Sequence, residues 1–244
     1  MLLLANTGFL FTDLPFPQRL AAAAAAGFDG IECHDELQRQ DTGLVAAELA
    51  RLGLVMGGLN LRMGPGMGVA ALPGHEGRFA VDVAAAHLAA TQVGAGAIHV
   101  LAGRGDTDEA TYRANLRRAC DLTDRLLLIE PICAQAVPDY HLSRVEHALE
   151  LAQMLGPRVR VMFDWFHAAT ELGAAPAAAM LRRHRELIAH VQAASIPDRN
   201  EPPAELLQDL AGVGFDRIGM EYRPSRPPAD YLRGLAGGRG VNPS

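Results

Sequence analysis

The sequence has few cysteines, and they stand too far apart to form a recognisable pattern. Cys33, Cys120 and Cys133 are the only three among 244 residues, and no two of them show C-x-x-C spacing. This argues against a disulfide framework and against a zinc site built from thiolates. Unpaired cysteines are typical of proteins in a reducing compartment, so we expect a cytoplasmic protein.

The chain also lacks an excess of positive charge. Its formal net charge is −6, with 22 basic and 28 acidic residues. A nucleic-acid partner requires a basic face that neutralises phosphates, so we expect no nucleic acid to bind. The first residues, "MLLLANTGFLF", contain no basic leader and no small-residue cleavage site. They therefore predict no signal peptide.

An uninterrupted membrane-spanning run is missing as well. The uncharged stretch at residues 83–103 is long enough to cross a bilayer. However, it contains His87 and His99, and Gly94 and Gly96 divide it into a helix-like half and a strand-like half. We therefore expect no membrane partner.

What the sequence does contain is a repeated unit, a short apolar run followed by an Ala- and Leu-rich helical stretch. Eight such runs predict strands at residues 2–6, 30–33, 54–61, 97–103, 126–132, 160–167, 188–194 and 218–224. Strands that alternate with helices form right-handed parallel βαβ units. Eight units in a chain of this length predict an α/β fold, the single-domain (β/α)8 TIM barrel.

We assign residues 1–236 to the barrel and residues 237–244, "GGRGVNPS", to a flexible C-terminal tail. The structural alternative is a doubly wound open sheet. That fold would require a G-x-G-x-x-G phosphate turn after the first strand, and "ANTGFLFTD" does not supply one.

Polar residues end several predicted strands at regular intervals. Glu130, Asp164, Gln192 and Glu221 end strands five to eight, and they are separated by 34, 28 and 29 residues. In a barrel, the carboxyl ends of all strands meet at one mouth. Three carboxylates and an amide oxygen suit a hard divalent cation, so the pattern predicts a Mg²⁺ or Mn²⁺ site. The alternative is that each residue is a solvated strand end with its own local partner.

Four further residues are candidates for substrate binding. His167 follows Asp164 at the mouth, and its alternative is an ordinary loop histidine. Arg199 lies in the loop after strand seven, where a guanidinium can bind a substrate carboxylate, although a solvated loop arginine is the commoner case. Asn60 ends strand three. His190 points to the same face as Gln192; a buried core histidine is the commoner case, but it could orient the site from one layer lower.

Local signals concern the loops and helix ends. The long uncharged loop at residues 63–74 is a candidate lid over the mouth. We expect His34 and Asp35 to be surface residues. The segment "SRVE" at residues 143–146 predicts a capping box, and Gly27 is placed to end a helix.

The chain resembles a known family through an ordered series of short segments. These are "AAGFDGIE", "LNLRMG", "ALPGHEGRF", "LLIEPI", "VPDYHL", "FDWFH", "AHVQ" and "MEYRP". In this order and spacing they resemble the hydroxypyruvate isomerases, which belong to the xylose-isomerase-like TIM barrels. The resemblance covers nearly the whole chain.

This resemblance implies metal ligands at the same four positions and an acid/base pair formed by Glu130 and Glu221, with His167 and Arg199 near the substrate. It implies interconversion of hydroxypyruvate and tartronate semialdehyde by proton transfer through an enediolate, without an organic cofactor. After Gln192 the chain departs from the family pattern, with Ser195 in place of an aspartate and the loop shortened.

Substrate identity therefore stays open. The alternatives are an isomerase or epimerase of another short keto-sugar or sugar acid, a metal-dependent endonuclease on the same barrel, and a barrel that has lost activity. The oligomeric state also stays open, with a homo-oligomer allowed.

Overall fold

The computed structural model describes residues 1–237 of the chain. The strands are β1 Leu2–Asn6, β2 Gly30–Cys33, β3 Val55–Asn60, β4 Ala97–His99, β5 Leu126–Ile129, β6 Val159–Asp164, β7 Ile188–Ala193 and β8 Arg217–Met220. The helices are α1 Phe16–Ala26, α2 Thr42–Leu52, α3 Glu76–Val93, α4 Glu109–Leu122, α5 Val145–Leu155, α6 Trp165–Leu172, α7 Ala174–Arg183, α8 Ala204–Gly212 and α9 Pro228–Gly237. The predicted tail, apart from Gly237 at the end of α9, lies outside the described residues.

The eight strands form a closed parallel barrel in sequence order, which confirms the predicted fold. Closure occurs where β1 pairs in parallel with β8, for example at Leu4 and Gly219. Each strand lies where the sequence predicts it, although β4, β5, β6 and β8 end three or four residues earlier than predicted. No helix among residues 1–237 is both long and apolar enough to cross a membrane.

Two helix starts differ from the sequence prediction. The strand predicted at residues 160–167 stops at Asp164, because the Asp164 side chain accepts a hydrogen bond from the Phe166 amide and caps α6. The capping box predicted at Ser143 does not form. Arg144 occupies the cap position of α5, and the Val145 amide donates instead to Glu171 on α6 at 3.0 Å. A tertiary contact thus replaces the local one.

Side-chain alternation separates the apolar core from the barrel interior. Along β6, Val159, Val161 and Phe163 belong to the large apolar cluster. The intervening Met162 lines the barrel interior instead. Because successive side chains of a strand point to opposite faces, Asp164 also points inward. The carboxyl end of each strand therefore delivers its last inward side chain to the mouth.

The segment between β3 and α3 contains the predicted lid. Its backbone pairs with the segment after β4 through an isolated bridge between Gly68 and Ala102. The Gly68 backbone has φ +94°, and a Cβ there would lie 2.3 Å from the Leu101 carbonyl oxygen, so only glycine permits this approach. Met63 and Met67 of the same segment line the cavity at the mouth.

Candidate metal and active site

Each of the eight strands, or the residue directly after it, contributes one polar side chain to a layer at the carboxyl end of the barrel. The members of this polar layer are Asn6, Glu32, Asn60, His99, Glu130, Asp164, Gln192 and Glu221. All except Asn60 are buried. Above the layer lies a cavity of about 500 Å³ at the mouth. Its lining includes Phe9, His34, Glu130, His167, Arg199 and Glu221.

Glu130 is a buried carboxylate with little direct stabilisation. Its Oε2 lies 3.5 Å from His99 Nε2, and its Oε1 lies 3.9 Å from His167 Nε2. Burial, together with the nearby charges of Glu221 and Asp164, raises the pKa of Glu130 well above its ordinary value. A nearby cation would favour the ionised form of this carboxylate.

Asp164 uses its two oxygens for different purposes. Oδ1 accepts the Phe166 amide hydrogen at 2.7 Å and so belongs to the helix cap. Oδ2 faces the site, where it accepts a hydrogen bond from Arg199 Nη2 at 2.6 Å. The cap therefore fixes which oxygen is available at the mouth.

Glu221 is held from both sides. Oε2 accepts hydrogen bonds from Asn6 Nδ2 at 2.5 Å and from Gln192 Nε2 at 2.6 Å, and Oε1 accepts one from Arg199 Nη2 at 2.5 Å. Burial raises the pKa of Glu221 to about 8, although Arg199 acts in the opposite direction. Glu221 is thus positioned to exchange a proton near neutral pH.

Arg199 lies in the middle of the site. Its Nη2 is bonded to both Asp164 and Glu221, and its guanidinium lies between the rings of Phe9 and Phe166, 4.6 and 4.8 Å from their centroids. The side chain enters from the loop after β7, where the Arg199 backbone has φ +55°. Only 7% of the residue is exposed, so it is not the solvated loop arginine of the alternative interpretation.

His167 is a neutral imidazole that contacts Arg199. Burial lowers its pKa to about 4. Because a guanidinium only donates, His167 Nε2 accepts from Arg199 Nη1 at 3.1 Å, which leaves the hydrogen on Nδ1, 3.4 Å from Cys133 Sγ. In this arrangement His167 orients Arg199, and its predicted contact with substrate stays a prediction.

The other two predicted substrate residues occupy different depths. Asn60 is half-buried, lines the mouth cavity, and its Oδ1 bonds His99 Nδ1 at 3.0 Å. His190 lies one layer deeper and bonds Glu32 at 2.7 Å. It borders the cavity of about 270 Å³ inside the barrel rather than the one at the mouth. Direct substrate contact by either residue stays a prediction.

The sequence interpretation gave no site role to four residues of this region, namely Asn6, Glu32, His99 and His34. Asn6 and His99 end β1 and β4, and Glu32 lies one residue before the end of β2. All three side chains point inward, and the alternation rule used for the other strands would have found them. The expectation that His34 is a surface residue is wrong. Its ring lies against Phe9, with centroids 5.9 Å apart, and lines the mouth cavity.

The residues present fit a divalent cation. Among the described residues, the ligand atoms of Glu130, Asp164 and His167 lie within 4.8 Å of one another. Two buried oxygens of the predicted ligand set have no hydrogen-bond partner among the described residues. They are Glu130 Oε1 and Gln192 Oε1. An unsatisfied buried acceptor costs about 1–3 kcal/mol, which a cation would offset. This trio shares Glu130 and Asp164 with the predicted set, whereas Glu221 is bonded to Arg199, Asn6 and Gln192.

Fold and site together define a closed (β/α)8 barrel with a buried carboxylate cluster at its mouth. A family model described as "Xylose isomerase-like TIM barrel" matches residues 20–230. The chain belongs to the xylose isomerase-like TIM barrel family.

Relatives of this chain have names that describe isomerases. A 2-oxo-tetronate isomerase of Cupriavidus necator is 34% identical, and the match covers 90% of this chain and 92% of the relative. A putative hydroxypyruvate isomerase of Danio rerio is 33% identical, over 90% of this chain and 89% of the relative. Among solved structures, an AP endonuclease of family 2 from Brucella melitensis superposes with a TM-score of 0.89 at 28% identity, over 97% of this chain and 99% of that one.

Proposed function

We propose that this protein is a metal-dependent isomerase that interconverts hydroxypyruvate and tartronate semialdehyde (2-hydroxy-3-oxopropanoate). The observation that carries the proposal is the buried pair Glu130 and Glu221 at one cavity, with raised pKa values and with Arg199 beside them. The names of the relatives support the same reaction class.

The reaction moves a hydrogen between adjacent carbons. A proton leaves the CH₂OH carbon of hydroxypyruvate, the electron pair forms an enediolate, and a proton is then delivered to the former carbonyl carbon. The hydroxyl proton passes at the same time from the terminal oxygen to the former carbonyl oxygen. One carboxylate accepts the first proton and a second, protonated one donates the other. Glu130 and Glu221 are the candidates, because both are buried at the cavity and both hold protons more tightly than ordinary glutamates.

The other residues bind and orient the substrate. Arg199 carries the positive charge that matches a substrate carboxylate. Its Nη2 already donates to Asp164 and Glu221 and its Nη1 to His167, so one Nη1 hydrogen remains for the substrate. His167 fixes the direction of that guanidinium, and the Phe9 and Phe166 rings restrict its movement. Burial lowers the pKa of His99 to about 3, and its Nε2 faces Glu130 Oε2 at 3.5 Å without a hydrogen bond.

The cofactor of this proposal is Mg²⁺ or Mn²⁺, which Glu130, Asp164, Gln192 and Glu221 would hold, with His167 close by. When bound, the cation would polarise the two substrate oxygens and neutralise the carboxylates. Oxygen donors favour these hard cations over softer metals.

A four-carbon 2-oxo acid is the second candidate substrate. The relative from Cupriavidus necator carries the name 2-oxo-tetronate isomerase and is as similar to this chain as the hydroxypyruvate relative. A cavity of about 500 Å³ accommodates either molecule. The same residues would serve both reactions, so only the walls of the cavity would distinguish them.

The deciding experiment is an isomerisation assay with purified protein after chelation and after adding back Mg²⁺ or Mn²⁺. Hydroxypyruvate, 2-oxo-tetronate and a neutral short keto-sugar would be compared. We expect cation-dependent turnover, with hydroxypyruvate preferred. Turnover that survives complete chelation contradicts the metal dependence, and absence of turnover on all three contradicts the isomerase.

An abasic-site DNA duplex belongs in the same panel, because one solved relative carries an endonuclease title. We expect no cleavage, because the net charge is −6 and because the one compact metal-ligand group among the described residues contains a single histidine. Metal-dependent cleavage would favour the endonuclease alternative.

A further inference from the structure

Glu32 is a buried carboxylate directly beside the candidate catalytic pair, and the proposed reaction gives it no role. It is 5% exposed and lies on β2, one residue before the end of the strand. Its Oε1 accepts hydrogen bonds from Gln192 Nε2 at 2.6 Å and Asn6 Nδ2 at 3.1 Å. Its Oε2 bonds His190 Nε2 at 2.7 Å. A buried carboxylate with this many partners is fixed in position.

The same two amides also bond the candidate catalytic Glu221. Gln192 Nε2 and Asn6 Nδ2 each donate to Glu221 Oε2, at 2.6 and 2.5 Å. A primary amide has two N–H groups, so both groups of each amide are used, one on Glu32 and one on Glu221. The two carboxylates therefore hold the amide nitrogens jointly.

This arrangement determines the orientation of the Gln192 amide. If the amide were turned over, its oxygen would face two carboxylates, which is unfavourable when they are ionised. With the nitrogen bound to Glu32 and Glu221, Gln192 Oε1 is buried and has no partner among the described residues. It is then the oxygen, and not the nitrogen, that remains free for a cation.

The surrounding backbone makes room for this carboxylate. Gly219 of β8 lies against it, and a Cβ at that position would be 2.5 Å from Glu32 Oε1 and 2.8 Å from Gln192 Cγ. Any larger residue would displace one of the two side chains. His190 bonds the second carboxylate oxygen, Oε2, so both oxygens of Glu32 have partners.

We propose that Glu32 is a positioning residue: with His190 behind it, Glu32 orients the Gln192 and Asn6 amides, so that Gln192 presents its oxygen to the cation and Glu221 keeps one orientation. The inference rests on the proposed function, since it assumes a cation at this site. Glu32 does not itself touch the substrate.

The test is Glu32→Gln, which keeps size and removes the charge. Groups behind metal ligands typically contribute about 10- to 100-fold to affinity or activity. We expect Mn²⁺ affinity, measured by calorimetry with the metal alone, to fall about tenfold or more. We expect kcat to fall similarly with KM nearly unchanged. The matched control is Glu36→Gln on the segment after β2. The Glu36 carboxylate pairs with Arg19 at 3.1 Å, and the substitution should leave Mn²⁺ affinity and kcat unchanged.

A double-mutant cycle separates positioning from a general structural effect. In a Gln192→Met background, the loss of Mn²⁺ affinity caused by Glu32→Gln should shrink, because the amide through which Glu32 acts is gone. Equal losses in both backgrounds, or unchanged Mn²⁺ affinity in Glu32→Gln, overturn the inference. His190→Phe, which removes only the bond to Oε2, replaces Glu32→Gln in the same cycle if that variant does not fold.

The outcomes for the two proposals can be distinguished. Parent protein that binds Mn²⁺ but isomerises none of the panel substrates contradicts the proposed function, while the affinity cycle still decides the role of Glu32. Parent protein that is an active isomerase but shows no effect of Glu32→Gln contradicts the role of Glu32 alone. Parent protein that binds no Mn²⁺ contradicts both.

Discussion

At the scale of single residues, the two glutamates of the proposed acid/base pair give the most direct prediction. Glu130→Gln and Glu221→Gln should each lower kcat by about 10²- to 10⁴-fold, because an amide cannot exchange the proton. Circular dichroism should show the fold retained. The matched control is Glu150→Gln on the exposed face of α5. Turnover near the parent value in either variant would remove that glutamate from the mechanism.

Arg199 gives the second prediction at this scale. Arg199→Ala should raise KM for acidic substrates much more than for a neutral keto-sugar, because only the acidic substrate loses an ionic partner. Arg199→Lys keeps the charge without the planar fork and should fall between parent and alanine variant. Equal effects on charged and neutral substrates, measured by steady-state kinetics, would show that Arg199 acts through Asp164 and Glu221 instead.

At the scale of secondary-structure elements, the start of α5 depends on a partner from α6. Glu171 accepts the Val145 amide hydrogen, so Glu171→Ala should lower the free energy of unfolding by about 1 kcal/mol, as expected for a lost helix cap. Ser143→Ala, at the position that the sequence predicts as the cap, should change it by less than about 0.5 kcal/mol. Urea unfolding measures both variants. A larger loss of stability in Ser143→Ala than in Glu171→Ala would show that Ser143 caps α5.

A second contact between elements predicts a dependence on pH. Glu109 at the start of α4 bonds Arg113, His141 and His147, and these bonds hold its pKa below the ordinary value although partial burial opposes them. A depressed pKa means that the stabilisation is present above the unfolded-state pKa of about 4.3 and is lost as pH falls through the folded pKa.

Glu109→Gln should therefore be less stable than the parent at pH 7. The difference should be below about 1 kcal/mol, because the carboxylate is partly exposed. It should shrink as the pH falls below 4. Thermal unfolding of both proteins across this range is the measurement, and a difference that grows on acidification contradicts this role of Glu109.

At the scale of the whole molecule, the cation should couple the site to the stability of the barrel. The four candidate ligands lie on β5 to β8 or directly after them, so unfolding any of these strands would destroy the site. A ligand that binds only the folded state adds about 2.7 kcal/mol at 100 times its Kd. Mn²⁺ should raise the unfolding temperature, chelation should reverse the shift, and Glu130→Gln should reduce it. An unchanged unfolding temperature with saturating Mn²⁺ would contradict the site.

Most of the fold could be predicted because it is repeated. Each unit shows the same apolar run and helical stretch, and eight such units in one chain of this length favour a closed barrel. The strand ends were less predictable. Asp164 ends β6 by capping α6, and that capping potential is visible in the sequence only once the position of the helix is known.

The sequence by itself determined the repeated strand–helix units and the polar residues that end strands five to eight, because the carboxyl ends of parallel strands in a barrel meet at one mouth. Only the tertiary structure decided how these groups pair. Glu32 meets His190 and Gln192, 158 and 160 residues away, and Arg199 lies between Asp164 and Glu221. Strand register and loop conformation set these distances, and both depend on the packing of the closed barrel rather than on any local pattern of residues.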